Sequence, residues 1–131
     1  MTTAADEIRA FLDEHHRTVL VTRRSGDRLQ SSPVLAATDD DGHIVVSATE
    51  DRSKVRNLRR DPRVALCAFT DGFFGPWVQA DGTAEIVSLP GAMDGLVALY
   101  RRVAGEHEDW DDYRRGMIEE HRVLIRITLD D

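Results

Sequence analysis

Residues 47–66, SATEDRSKVRNLRRDPRVAL, contain Lys54, the only lysine in a chain that otherwise uses sixteen arginines as its basic residues. From residue 52 to residue 63, six cationic side chains accompany one carboxylate, which gives this segment a net charge of +5 within a chain of net charge −7. Arginine and lysine serve equally well on a solvated surface, so a general preference for arginine does not explain Lys54. The lysine is therefore the first candidate for a functional cation.

The pattern within this basic segment predicts a short helix that leads into a strand. Val55 and Leu58 are three residues apart, which is the spacing of an apolar helix face. Pro62 disfavours helical backbone at the preceding residue, so the helix is expected to end near Asp61. The run VALCAFT that follows is typical of a buried strand.

The start of this helix is a candidate anion site. Thr49, Asp51 and Ser53 are each plausible N-caps, and any of them places Lys54 in or near the first turn, beside unpaired backbone N–H groups. A phosphate there would receive amide hydrogen bonds, the favourable end of the helix dipole and the charges of Arg52 and Lys54. The alternative is a solvated basic face that binds no ligand. Spacing alone does not separate the two interpretations.

The rest of the chain alternates short extended runs with amphipathic segments. Strands are predicted at TVLVTRRS (18–25), LQSSPVLAAT (29–38), HIVVSAT (43–49), VALCAFT (64–70), WVQADGTAEIVS (77–88) and RVLIRITL (122–129). Helices are predicted over residues 3–15, 91–104 and 110–121, in addition to the basic one. Six short strands with peripheral helices predict one domain, residues 1–131, that is mainly β and forms a small antiparallel barrel.

Composition excludes several classes of protein. The net charge of −7 argues against general binding of nucleic acid or anionic membranes, and no apolar run is long enough to cross a bilayer. The N-terminus does not resemble a secretion signal, and the single Cys67 is expected to pack as a small buried group. These features predict a cytoplasmic protein.

Familiar catalytic patterns do not explain the chain. Segments of the Gly-x-Ser-x-Gly, Walker or Gly-x-Gly-x-x-Gly type do not occur. His107 lies in an acidic run, GEHEDWDD, which is better interpreted as an exposed loop and helix start than as a metal site. No metal site and no catalytic side chain are predicted, so the chemistry is expected to come from a cofactor.

The basic segment, together with RLQSSPV (28–34) and WVQADGTAEIV (77–87), resembles the pyridoxamine 5′-phosphate oxidase-like split-barrel flavoproteins. It is most similar to small actinobacterial members that bind the deazaflavin coenzyme F420, in which Arg-x-Lys-x-x-Asn-Leu-x-x-Asp-Pro-Arg follows a strand that ends in small residues. The matching residues here are Arg52, Lys54, Asn57, Leu58, Asp61, Pro62 and Arg63. The resemblance implies a six-stranded antiparallel split β-barrel of Greek-key type. It also implies a homodimer with two equivalent cofactor sites at its interface.

The resemblance also implies which residues bind the cofactor. By position, Arg52 and Lys54 would hold the phosphate, Ser47, Ala48 and Thr49 would make contacts beside it, and Asn57 would steady that loop. The ring system would lie along Gln30, Ser31, Ser32, Pro33 and Val34. Trp77 and Gln79 could reach the ring from the face of their strand opposite the core. A lysine suits the phosphate because an ammonium approaches it as a compact point charge, whereas a forked guanidinium needs a different geometry.

The implied function is that of a reductase in which coenzyme F420 delivers hydride to an electron-poor conjugated small molecule, such as an enone, a quinone or a tetrapyrrole. The first alternative keeps the fold but binds FMN, as a flavin reductase or oxidase. The second is a non-catalytic carrier of cofactor or pigment. A nucleic-acid contact at the basic helix is the least supported interpretation, because no aromatic residue interleaves the basic ones.

Overall fold

The computed structural model describes residues 3–130 and contains six strands and four α-helices in this part of the chain. In chain order the elements are α1 (Ala4–Glu14), β1 (Arg17–Arg23), a 3-10 turn (Ser25–Asp27), β2 (Leu29–Thr38), β3 (Ile44–Thr49), α2 (Ser53–Arg60), β4 (Arg63–Phe69), β5 (Trp77–Val87), α3 (Met93–Ala104), α4 (Trp110–Glu119) and β6 (Arg122–Leu129). Every predicted helix and strand is present, with ends that differ by only a few residues. None of these helices is both long and apolar enough to cross a membrane.

The six strands form one closed antiparallel barrel. Its strand order is β1-β2-β3-β6-β5-β4, so the chain's last strand pairs with β3, and β4 pairs with β1. The closing pair sets Ser47 of β3 opposite Leu124 of β6. The prediction of a mainly β fold with peripheral helices is confirmed.

Two helices cover opposite ends of the barrel. In α1, Ile8 and Leu12 join the core, and the Arg9 carbonyl accepts a hydrogen bond from the hydroxyl of Thr38 at the C-terminal end of β2. In α2, the Asn57 amide donates to Gln30 near the N-terminal end of the same strand. Because β2 runs the length of the barrel, these contacts place the start of α2 at the end opposite α1.

The other two helices cover part of the outside of the barrel. A second apolar cluster joins α3 and α4 to outward side chains of β2, β3 and β6, among them Ala37, Val45 and Leu124. At Gly95 of α3, an added Cβ would lie only 2.6 Å from Cδ2 of Leu124. The absence of a side chain at this position therefore allows α3 to lie close against β6.

The outer face of β2, β1, β4 and β5 is left open by the helices in the described part of the chain. Val19 and Val21 are only half-buried there, and Trp77 is 63% exposed. Cys67 lies on the same face and is also half-buried, so the prediction that it packs as a buried group is wrong. The reason is strand alternation, because Leu66 and Ala68 point into the barrel and Cys67 points out.

We expect Gly82→Ala to lower the free energy of unfolding by about 1–3 kcal/mol, because overpacking a tight position displaces its neighbours. A Cβ at this position of β5 would lie 2.5 Å from the Thr128 carbonyl oxygen and 2.8 Å from Cγ2 of Ile127. Urea unfolding followed by circular dichroism measures the change. Gly72→Ala is the control, because its nearest neighbour would be 4.0 Å away. Equal effects at the two glycines would contradict this account of β5.

Candidate cofactor-binding site

The start of α2 has no side-chain cap. Arg52 occupies the N-cap position in extended backbone conformation, and a guanidinium cannot accept a hydrogen bond from the helix. The prediction that Thr49, Asp51 or Ser53 caps the helix is therefore wrong. The Thr49 hydroxyl donates instead to the Asp51 carboxylate at 2.9 Å. The first N–H groups of α2 are thus left for an acceptor from outside the helix.

The six cations of the basic segment fall into two groups. Four are engaged within the protein: Arg56 with the Asp51 carbonyl at 2.6 Å, Arg59 with Glu50 at 2.8 Å, Arg60 with the Arg23 carbonyl at 3.1 Å, and Arg63 with Asp61 at 2.7 Å. The side chains of Arg52 and Lys54 make no hydrogen bond or ion pair with residues 3–130. Arg52 and Lys54, which were predicted to bind a phosphate, are therefore the two cations of this segment that remain available for a ligand.

Lys54 lies in a crowded positive environment. Burial lowers the pKa of its ammonium below the ordinary value, and the charges of Arg52 and Arg122 lower this pKa further. Each of these effects disfavours the charged form, and the negative charge of a bound anion would compensate for both. The surroundings of Lys54 thus favour an anion whatever the identity of the ligand.

Arg122 is a residue that the sequence analysis missed. It is the first residue of β6 and lies opposite Thr49 of β3 in the barrel register. Its Nη2 donates to Glu120 at 3.1 Å, whereas its Nε is buried and has no hydrogen-bond partner among the described residues. Arg122 comes near Lys54 because β3 pairs with β6, and no local sequence motif predicts that pairing.

Asn57 and Gln30 contact each other beneath the helix. Asn57 is 6% exposed, and its Nδ2 donates to Thr22 Oγ1 at 3.0 Å and to Gln30 Oε1 at 2.8 Å. Both amide protons of Asn57 are therefore used inside the protein. These contacts tie α2 to β1 and β2, which fixes the position of Lys54 on the same helix.

The predicted ring contacts on β2 alternate between the two sides of the strand. Ser31 and Pro33 are exposed on the outer face of the barrel, whereas Ser32 and Val34 point inwards. The Ser32 hydroxyl is buried without a hydrogen-bond partner in residues 3–130. A ligand on the outer face therefore meets the side chains of Ser31 and Pro33, and only the backbone of the other two.

The residues of β3 also alternate, and one of them opens into a pocket. Ala48 is buried in the core, whereas Ser47 lines a pocket of about 360 Å³ between the barrel and helices α3 and α4. Other lining residues include Leu35, Tyr100, Tyr113, Met117 and Arg122. The helical residues are not among those predicted to bind the cofactor, because the family resemblance is weak after Val87.

Trp77 and Gln79 lie away from this pocket within one chain. Both point outwards from β5, opposite Phe69 and Cys67 of β4. Strands β2, β1 and β4 separate β5 from β3 on this side of the barrel. The structure does not bring these two residues to Lys54, and contact with the cofactor would require a second copy of the chain.

A comparison of the sequence with protein families places the chain in a known family. The family profile described as pyridoxamine 5′-phosphate oxidase matches residues 4–131. The chain belongs to this family. Members of the wider superfamily bind flavin-type cofactors, and the group contains oxidoreductases.

Solved structures of other proteins share the fold. A conserved hypothetical protein from Mycobacterium tuberculosis is 28% identical, with a TM-score of 0.79, and the match covers 100% of this chain and 82% of that one. A protein named F420 reductase is 21% identical, with a TM-score of 0.71 and coverage of 94% and 93%. The heme storage protein HutZ from Vibrio cholerae is 17% identical, with a TM-score of 0.73 and coverage of 95% and 89%. Because one fold serves such different ligands, the ligand here must be inferred from the site.

The site of this family member fits a cofactor that carries a phosphate. Arg52 and Lys54 offer two cations without an internal partner among the described residues, and the uncapped start of α2 offers N–H donors. The exposed side chains of Ser31 and Pro33 leave room for a flat ring system along β2.

Proposed function

We propose that this protein is a coenzyme F420-dependent oxidoreductase that transfers hydride from the reduced cofactor to an electron-poor conjugated small molecule. The observation that carries the proposal is the separation of the basic segment into four engaged arginines and two available cations. Exposed cations such as Arg24 and Arg28 also have no partner among the described residues, but Lys54 differs from them because it is half-buried beside Arg52 and Arg122. A phosphate held by Arg52 and Lys54 explains this arrangement, and it also explains the single lysine.

The residues of this chain bind and orient the cofactor. Lys54 and Arg52 hold the phosphate, Ser47 and Thr49 contribute contacts beside it, and the outer surface of β2 supports the ring. When bound, the reduced deazaflavin supplies a hydride, which carries two electrons and one proton to the acceptor. The acceptor takes a second proton from solvent. The protein acts by positioning and by excluding water.

The test of this proposal combines binding with turnover. The purified protein is mixed with reduced coenzyme F420 and a panel of enones, quinones and tetrapyrroles in a stopped-flow instrument, and reoxidation of the coenzyme is followed by its absorbance. We expect saturable reoxidation with at least one acceptor. Tight binding of the coenzyme without turnover on any acceptor would identify a carrier instead.

An FMN-dependent reductase or oxidase is the second candidate. The family match favours it, because the matched profile carries the name of an oxidase. The two candidates differ in an observation that needs no substrate. A purified protein that keeps a flavin spectrum through gel filtration would favour FMN, and a colourless protein that binds added F420 would favour the deazaflavin.

We also propose that two copies associate through the open outer face. Val19 lies at its centre, between Pro33 of β2 and Cys67 of β4 in the barrel register. Association through this face would cover the exposed Trp77 and bring Gln79 towards the cofactor site of the partner. It would thus explain why both residues are among those predicted to bind the cofactor.

We expect Val19→Asp to raise the dissociation constant of the dimer at least about tenfold, because each interface then buries two unpaired carboxylates. Sedimentation velocity over a range of concentrations measures the shift. Thr128→Asp is the control, because Thr128 is exposed on β6, outside the open face. A wild-type monomer, or equal effects of the two variants, would contradict the proposed interface.

A further inference from the structure

The pocket beneath α3 and α4 has the size and composition of a small-molecule site. It has a volume of about 360 Å³ and is lined mainly by apolar and aromatic side chains, including Leu35, Leu99, Val103 and Met117. Such a lining with a few polar groups is typical of ligand pockets. The phosphate assigned to Lys54 and Arg52 accounts only for Ser47 at the edge of the pocket, because neither of the two cations lines it.

One wall of the pocket consists of aromatic rings held in fixed positions. The Tyr113 hydroxyl donates to the Leu96 carbonyl at 3.0 Å, and the ring centroids of Tyr100 and Tyr113 are 5.0 Å apart. Trp110 packs edge-on against both, at 5.7 and 5.5 Å. Burial raises the pKa of the Tyr113 phenol, so this side chain stays neutral at ordinary pH. A wall of this kind suits a flat apolar ligand.

The polar groups of the pocket are few and include one cation. Arg122 is the only charged residue among those that line it, and Ser47 offers a hydroxyl. The buried Nε of Arg122 has no acceptor within the described residues, whereas Nη2 is already held by Glu120. The remaining nitrogen, Nη1, is left for a ligand carboxylate, which would gain a charge-assisted hydrogen bond there.

From these observations we propose that the pocket binds a small aromatic acid, with its ring against Tyr100 and Tyr113 and its acidic group on Arg122. This inference rests on the proposed function, because it names the class of second substrate as a planar acid rather than a neutral compound. Arg122 is then the residue that determines this specificity. The phosphate of the cofactor binds Arg52 and Lys54, and the acid of the substrate binds Arg122. The three cations belong to one positive region of the surface.

Isothermal titration with two matched probes tests this specificity. The full-length protein is titrated with 2-naphthoate and with 2-naphthamide, which have the same ring and differ in charge. We expect the wild type to bind the acid about tenfold to hundredfold more tightly than the amide, the range for a hydrogen bond to a charged group. Arg122→Gln should abolish this preference, and Arg122→Lys should keep part of it.

Arg126→Gln is the matched control for Arg122. Arg126 lies on the same strand and pairs with Glu85 at 2.9 Å, as Arg122 pairs with Glu120. We expect it to keep the preference for naphthoate. Thermal unfolding of each variant checks that the fold is intact. The proposal would be overturned if the wild type bound the two probes equally well or bound neither of them, and both of these outcomes require no variant. It would also be overturned if the Arg122 and Arg126 variants lost the preference for naphthoate to the same extent.

A further variant separates this proposal from the proposed function. Lys54→Ala should weaken the binding of coenzyme F420 at least about tenfold and change the affinity for naphthoate by no more than about threefold, because Lys54 does not line the pocket and acts on a ligand there only through its partly screened charge. If Lys54→Ala loses F420 binding but binds naphthoate normally, the cofactor phosphate and the acid of the substrate are held by separate cationic residues. A wild type that binds naphthoate but not F420 would refute the cofactor assignment alone. Equal losses of both ligands in Lys54→Ala would overturn the separate pocket.

Discussion

Lys54→Ala is expected to raise the dissociation constant of oxidised coenzyme F420 about tenfold to hundredfold while leaving the fold intact. A hydrogen bond to a charged group contributes about 1.5–3 kcal/mol, and the backbone N–H donors of α2 and the charge of Arg52 remain in the variant. Binding is therefore weakened and not abolished. Isothermal titration measures the dissociation constant, and circular dichroism confirms the fold.

The control for this prediction lies on the same helix. Arg59 is engaged with Glu50 at 2.8 Å, so Arg59→Ala should change the dissociation constant by less than about twofold. Lys54→Arg tests whether charge alone is enough, since the guanidinium is longer and fixes the directions of its donors. Equal losses at Lys54 and Arg59 would mean that a diffuse basic patch had been mistaken for a site.

Asn57→Ala is expected to lower the free energy of unfolding by about 2–4 kcal/mol, because it leaves the acceptors Thr22 Oγ1 and Gln30 Oε1 without their donor at about 1–3 kcal/mol each. Thr22 is 1% exposed, so water cannot readily take the place of the amide. Urea unfolding at equilibrium measures the loss. The same variant should also weaken F420 binding, because Asn57 holds the helix that carries Lys54.

Arg56→Ala provides the comparison for Asn57. Arg56 is an exposed residue of the same helix whose guanidinium reaches the Asp51 carbonyl, so its removal should change the free energy of unfolding by no more than about 0.5 kcal/mol. Similar losses in the two variants would show that the amide network contributes little. A direct contact of Asn57 with the cofactor would instead reduce F420 binding without reducing stability.

Much of the fold could be predicted because its strands have clear alternation and clear ends. In β5, the inward positions are small or apolar and the outward ones polar or aromatic, and the observed burial follows this pattern. Pro62 correctly marks the end of α2. The capping prediction failed because the N-cap position falls on Arg52, between Asp51 and Ser53, and a guanidinium has no acceptor atom.

The candidate site could be predicted only where a local motif describes it. Arg52 and Lys54 belong to one continuous segment, so spacing was enough to find them. Arg122, Tyr100 and Tyr113 lie far along the chain and reach the site only through the closure of the barrel and the packing of two helices on it. Their residue types occur equally often on ordinary surfaces, and no local pattern distinguishes them.

The motif on β2 contains more information than its resemblance to a family conveys. The resemblance treats RLQSSPV as one continuous contact surface, although neighbouring side chains of a strand point to opposite faces. Gln30 consequently bonds Asn57, and Ser32 points inwards, whereas Ser31 and Pro33 remain outside. The two-residue period of a strand, applied to this motif, separates the two groups from the sequence alone.

The pairing of β3 with β6 has a consequence for the order of folding. Ser47 and Leu124 become neighbours only after the chain between them has been brought together, and such non-local contacts slow folding because the entropy of loop closure must be lost first. Local hairpins such as β1 with β2 can form earlier. Arg122 is therefore expected to take its place near Lys54 late in folding, when β3 and β6 pair. Partly folded chains would lack the pocket that Arg122 lines, so the binding of naphthoate during refolding would report the pairing of β3 with β6 in real time.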